Sequence, residues 1–154
     1  LYKNPYLLMG NAHNYLQEWE ASIRAYQRAL QLDPGYEEAR NNLAITYRQA
    51  GQFYGEQQGD LSRSIQYLQQ ALALTPNDYE VLRLLGVAHG VGGQHQQAVS
   101  YFQQAVQQQP DNARAWFSLG VAQQYAGQTE AANQSLNRAR QLDPQIDQKM
   151  QGNG

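Results

Sequence analysis

Proline returns along this chain at a nearly constant interval. Leu32-Asp33-Pro34, Leu74-Thr75-Pro76, Gln108-Gln109-Pro110 and Leu142-Asp143-Pro144 are separated by 42, 34 and 34 residues. Such a period marks a chain built from copies of one supersecondary unit. Aligning on the prolines places small residues in columns: Gly10, Ala44, Gly86 and Gly120; then Ser22, Ser64, Ala98 and Ala132; then Ala29, Ala71, Ala105 and Ala139. Small side chains let two helices of a hairpin approach closely. The larger apolar residues Met9, Leu43, Leu85 and Leu119, with Tyr26, Leu68, Phe102 and Leu136, are expected to fill the space around them. Each proline ends the second helix, because the residue before it is pushed out of the α region. Gly51, Gly93 and Gly127 read as the break between the helices in three of the four units. One hairpin cannot bury its apolar face alone, so the units must stack.

This pattern resembles the tetratricopeptide repeat, a helix-turn-helix unit of 34 residues. The resemblance covers about residues 3–146, as units 3–36, 37–78, 79–112 and 113–146, and leaves 147–154 as a tail. It implies an all-α fold: a right-handed superhelical array of hairpins, or α-solenoid. Trp116 holds the repeat's aromatic position, which Tyr6, Arg40 and Leu82 occupy in the other units.

The departures matter as much. The second unit carries eight extra residues, Gln52 to Gly59. Either its first helix continues to about Gln58, with Gly59 as cap, or Phe53-Tyr54-Gly55 forms a protruding loop; the helix-forming run Glu56-Gln57-Gln58 favours the first. Phe53 and Tyr54 need cover, from the adjacent turn of the third unit or from a partner at a contact ridge. Asn4-Pro5 is a helix-start signal. Ile23, Ile65 and Val99 give way to Asn133, and Leu30, Leu72 and Val106 to Arg140. A polar outer face is what a last unit needs, so the array is expected to end there, with Gln151-Gly-Asn-Gly as a disordered end.

Composition narrows the function. Net charge is -2 with a pI near 5.9, which provides no electrostatic footprint for a nucleic acid. No apolar run is long enough to insert into a membrane. Cysteine is absent, which excludes disulfides, thiolate nucleophiles and Cys-ligated zinc. Polarity comes from 26 Gln against 2 Lys. The glutamine runs fall on second helices and read as a solvated face, and this usage hints at a bacterial source. The compartment stays open, cytoplasmic or periplasmic. The chain opens without Met or a signal pattern, as a piece of something longer would.

Catalytic and metal chemistry find little to work with. His13 and His89 fall on the hairpin interior and read as packed, hydrogen-bonded side chains; His95 reads as packing. Glu18, Glu20, Glu37 and Glu38 lie at helix starts, where anions offset the dipole. Asp33, Asp78, Asp111 and Asp143 belong to turns or caps. No phosphate loop or nucleophile motif is present. The expectation is no enzyme, no catalytic residue, no metal and no cofactor.

The resemblance implies where function would sit. Family members line a concave groove with their first helices, and the matching positions here include Asn11 and Tyr15, then Asn42, Ile45 and Arg48. Arg83, Leu84, Val87 and Val91 follow, and then Phe117, Val121, Gln124 and Tyr125. Asn11 and Asn42 match the asparagines of members that grip the acidic tail of heat-shock chaperones. The required cations do not, since Leu7, Glu80 and Leu84 stand in their places. What remains is an apolar stripe, Leu84, Val87, Val91, Phe117, Val121 and Tyr125, at helix-face spacing. Either it is exposed for a partner, or it is covered, by neighbouring first helices that bury much of it or by a further segment of the parent chain. The expected role is a scaffold that binds a protein or peptide with apolar anchors. A self-assembling homo-oligomer, suggested by the apolar run Tyr6-Leu7-Leu8-Met9, and the targeting domain of a larger enzyme are the alternatives.

Overall fold

The computed structural model describes residues 4–152, and every regular element among them is a helix. In chain order these are α1 (Pro5–Tyr15), α2 (Trp19–Leu32), α3 (Glu37–Glu56), α4 (Leu61–Leu74), α5 (Tyr79–Val91), α6 (His95–Gln108), α7 (Ala113–Tyr125), α8 (Thr129–Leu142) and α9 (Ile146–Gln151). They form two compact units, one up to Pro76 and one from Asn77. The first holds the hairpins α1–α2 and α3–α4, with α2 packed on α3. The second holds α5–α6 and α7–α8, with α6 packed on α7 and α9 lying against α7 and α8.

Local chemistry starts and stops these helices as the sequence implies. Asn4 caps α1, its side chain accepting from the Tyr6 N–H, with Pro5 in the first turn. Asp78 caps α5 by accepting from the N–H groups of Glu80 and Val81, and Asn112 caps α7. The small-residue columns are steric necessities. A Cβ added at Gly86 would lie 2.8 Å from the Phe102 ring, and one at Gly120 would lie 2.7 Å from Leu136. Ser22 is fully buried and satisfied, its hydroxyl donating to the Gly10 carbonyl at 2.9 Å. Met9 departs from its column: it is half-exposed, whereas Leu43, Leu85 and Leu119 are buried.

The inserted residues lengthen the helix. α3 runs for 20 residues against 13 in α5 and in α7. Gly51 therefore does not break the hairpin. It lies inside α3 against Leu68, and the turn falls at Gly59, with φ +66°. Gly93 and Gly127 do hold positive-φ turns.

Phe53 and Tyr54 find their cover within the first unit rather than on the third repeat. Phe53 packs on Trp19 of α2, with ring centroids 6.0 Å apart, and Tyr54 stacks on Tyr67 of α4 at 5.5 Å. Both phenol hydroxyls donate to Glu20 Oε1, at 2.9 Å from Tyr54 and 3.1 Å from Tyr67. Arg63 lies over the Tyr54 ring. Glu20 thus ties α2 to the extension of α3 and to α4, a role beyond offsetting a helix dipole.

This carboxylate makes the first unit sensitive to pH at both ends. Partial burial raises the Glu20 pKa, but hydrogen bonds from its own backbone, Tyr54 and Tyr67, with the Arg63 charge, outweigh it and hold the group below its ordinary 4.5. Its contribution is present above pH 4.5 and fades as pH falls through the lowered value. Burial and the adjacent Glu20 carboxylate push the Tyr67 hydroxyl from 10.0 up to about 12. That contribution is complete below pH 10.0 and is lost as pH rises through about 12. Glu20→Gln is expected to cost about 1 kcal/mol near neutrality, since water screens the cluster. The difference in melting temperature from wild type should shrink in acid, and tyrosinate absorbance should show Tyr67 ionising at lower pH. An unaltered alkaline titration would contradict the assignment.

The segment after Pro144, which the repeat register leaves as a tail, is helical, and Gln151, expected to open a disordered end, is the last residue of that helix. Residues 146–151 form α9, and Ile146 is 0% exposed. Arg140 donates to both carboxylate oxygens of Asp147, at 2.7 and 3.2 Å, and Lys149 pairs with Asp143 at 2.6 Å. The polar Arg140 of the last hairpin therefore faces a partner on α9. Residues 153–154, the end of the Gly-Asn-Gly stretch, lie outside the described residues.

Candidate functional site

Five of the expected groove residues converge within the second unit. Val87 and Val91 lie one turn apart on α5, and Phe117, Val121 and Tyr125 lie at four-residue intervals on α7. Together they line a cavity of about 480 Å³. Ala98 and Phe102 of α6, which belong to the hydrophobic core, form its base. His95 stands beside it, its ring stacked on Tyr125 with centroids 5.2 Å apart. Met150 of α9 supplies a further wall. The lining is mostly apolar and much of it meets water: Val91 is 71% and Tyr125 70% exposed.

Leu84 does not belong to this surface. It is 5% exposed and forms part of the buried interior, although it sits on the same stripe of α5 one turn before Val87. Of the two readings of the stripe, burial holds for Leu84 and exposure for Val87, Val91 and Tyr125. Arg83 is engaged with Glu80 through a two-pronged contact, at 3.0 and 2.5 Å. Gln124 is exposed on α7 but lines no part of the cavity.

The residues of the first unit expected to line a groove make a different kind of hollow. Asn11, Tyr15, Asn42 and Ile45 line a cavity of about 360 Å³ with Asn14, Tyr26 and Thr46. Its amides are already tied together. Asn11 Oδ1 accepts from the Tyr26 hydroxyl at 2.6 Å and from Asn42 Nδ2 at 3.0 Å, and Asn14 Nδ2 donates to Thr46 and Gln49. The two asparagines that match the chaperone-tail binders therefore hold α1 to α3. Arg48 is half-buried on α3 and lines neither of these cavities.

The histidines are built into the hairpins. His89 is buried, stacked on Tyr101, with Nδ1 at 2.5 Å from Gln94 Oε1, and His13 makes the equivalent contact with Glu18. Among the described residues no group of three or more His, Asp or Glu side chains is placed to hold a metal ion. No helix among them is long and apolar enough to cross a membrane. The feature that sequence reasoning missed is Met150. Its signal was the four-residue spacing from Ile146 after a proline, outside the 34-residue register.

Tetratricopeptide repeat models match residues 4–77 and 92–152. The chain belongs to the tetratricopeptide repeat family. Its fold is an all-α tandem helical repeat of the α-solenoid class, built among the described residues from helix hairpins. Solved structures agree on the fold. MamA aligns at 20% identity with a TM-score of 0.59, over 93% of this chain and 92% of its own. YrrB, a tetratricopeptide protein with an unusual peptide-binding site, aligns at 23% identity and 0.55, over 91% and 86%. The first such domain of Spaghetti (RPAP3), bound to an HSP90 peptide, aligns at 20% identity and 0.62, over 66% and 79%. No curated protein sequence matches the chain.

Proposed function

We propose that this tetratricopeptide protein is a non-catalytic interaction scaffold that receives a partner peptide or helix on the face formed by α5 and α7. The carrying observation is the apolar cavity of the second unit, which several large side chains border while remaining open to water. Burying a valine fully is worth about 1.5–3 kcal/mol, so side chains left outside the core at this density suit a surface that is covered on binding. YrrB and Spaghetti, which share the fold, each bind peptides, and this supports the same use here.

The test is retention of proteins from a lysate of the source organism. Wild type is compared with the double variant Val91→Lys, Tyr125→Glu, whose positions are exposed enough to leave the fold intact. Partners held by wild type should be lost from the variant, with affinity reduced about tenfold or more. Equal retention by both proteins would overturn the assignment of this face.

A second reading has its own observation. Leu8, Met9, Tyr15 and Leu16 of the first hairpin are all exposed, a patch that suits self-association. Light scattering at rising concentration discriminates: a monomer throughout removes this reading, and a dimer lost in Leu8→Lys, Leu16→Lys supports it.

A further inference from the structure

The turn between α1 and α2 breaks a rule that the other hairpins keep. In those three, the residue two places before the second helix is a glycine with positive φ: Gly59 at +66°, Gly93 at +77° and Gly127 at +76°. Gln17 holds the same place at φ +58°, where glycine sits freely and a residue with a side chain is strained. What the side chain gains is a place beside a polar pocket of about 250 Å³ in the first unit. Four of the seven lining residues, Gln52, Phe53, Glu56 and Gln57, come from the insertion that lengthens α3.

Hydrogen bonding inside the protein leaves this pocket with both donors and acceptors to offer. Gln49 Oε1 already accepts from Asn14 at 2.8 Å, so its Nε2–H groups remain. Trp19 is 7% exposed, and its buried Nε1–H has no acceptor. Gln52 donates through Nε2 to Glu56 at 3.1 Å, so its Oε1 remains. Glu56 has no cationic partner among the described residues. A ligand that matches this lining must donate, accept and carry no charge. An anion would meet Glu56, and an ammonium group would leave the Trp19 and Gln49 donors unmet.

We infer that this pocket is a second binding site, independent of the α5–α7 face, and that it takes one ring of a neutral saccharide. Each hydroxyl of a sugar both donates and accepts, so neighbouring ring positions offer lone pairs to Trp19 and Gln49 and protons to Glu56 and Gln52. Gln17 and Gln57, whose side chains make no hydrogen bond among the described residues, serve in either sense. A side-chain amide brings one donor group and one acceptor, and would leave part of the lining unmatched.

The test titrates the full chain with the methyl glycosides of glucose, galactose and mannose, following the indole N–H signals by NMR. Acetyl-glutamine methylamide and acetyl-lysine methylamide are the peptide controls. The chain has two tryptophans, and Trp116, whose Nε1 donates to the Pro110 carbonyl at 2.8 Å, is the internal reference. At least one glycoside should shift the Trp19 signal saturably and leave Trp116 unmoved. Gln17→Gly should weaken that glycoside about fivefold, as loss of one neutral hydrogen bond does. Its melting temperature should equal or exceed that of wild type, because the strained turn is relieved. Glu56→Gln should weaken the glycoside about tenfold, since a charge-assisted bond is lost. Unchanged affinity in Gln17→Gly, or a lowered melting temperature, overturns the role of Gln17. No shift with any glycoside, equal shifts at both indoles, or a Trp19 shift with a peptide control alone overturns the saccharide site. None of these outcomes bears on the α5–α7 face, so the scaffold reading stands or falls separately.

Discussion

Gly86→Val is expected to lower the stability of the second unit by about 3 kcal/mol, a fall in melting temperature on the order of 10–20 °C for a unit this size. The first added carbon already lies 2.8–2.9 Å from three atoms of the Phe102 ring. The ring is held on one side by the buried cluster with Val99, Val106 and Leu119, so it can yield only toward the cavity it borders, at the expense of its own packing. Branching at Cβ then crowds the preceding helical turn as well. Helix propensity works in the other direction, since glycine is the poorest helix former after proline, but that gain is below about 1 kcal/mol and is outweighed. Gly86→Ala should fall between the two, because the same clash is met by a smaller group with a larger propensity gain. Circular dichroism melts of the two variants check the order. A valine variant as stable as wild type would mean that α5 and α6 are further apart than described.

The same residue shows why the fold was legible in the sequence. A glycine or alanine recurring at a fixed distance from a bulky partner reports a steric requirement, and Gly86 with Phe102 and Gly120 with Leu136 meet that requirement in contact. Gly51 was misread because glycine serves two ends. It stops helices and it permits helices to touch, and position alone does not say which. Eight inserted residues moved the stop to Gly59 and left Gly51 to the second role. The site was legible in part for a related reason. Periodicity places Leu84, Val87 and Val91 on one face of α5, but it does not say how far along that face the interior reaches. It reaches Leu84 and stops short of Val91. Contacts that depend on where an irregular extension runs left no periodic trace. Tyr54 and Tyr67 meet on Glu20 because α3 continues past the length of its counterparts, and nothing near Glu20 in sequence announces two phenols. Asn11 and Asn42 present the opposite case: the residues were foreseen, but their amides bind each other rather than standing free.

Ile146→Ala should release α9 and thereby alter the candidate site. Ile146 has no exposed surface, so its truncation removes apolar burial and leaves a cavity, together worth about 2–4 kcal/mol where the surroundings cannot collapse. Two further ties hold the helix, Arg140 with Asp147 and Lys149 with Asp143, and both lie at the surface, where such pairs contribute little. A six-residue helix has no independent stability, so once Ile146 is truncated α9 should fray before the rest of the unit unfolds. This limits the damage. Global stability falls only until undocking becomes easier than unfolding, and the remainder of the loss appears locally. Hydrogen exchange should therefore accelerate in α9 amides far more than in α7, while the main melting transition moves modestly. The consequence for function follows from Met150, which walls the cavity only while α9 is docked. Methyl signals of Val121 and neighbouring lining residues should shift in Ile146→Ala even without a ligand. Met150→Ala separates the two effects, because it removes the wall and keeps the dock. If the Ile146 variant leaves those signals unmoved while α9 exchanges freely, Met150 is not part of the cavity wall in solution.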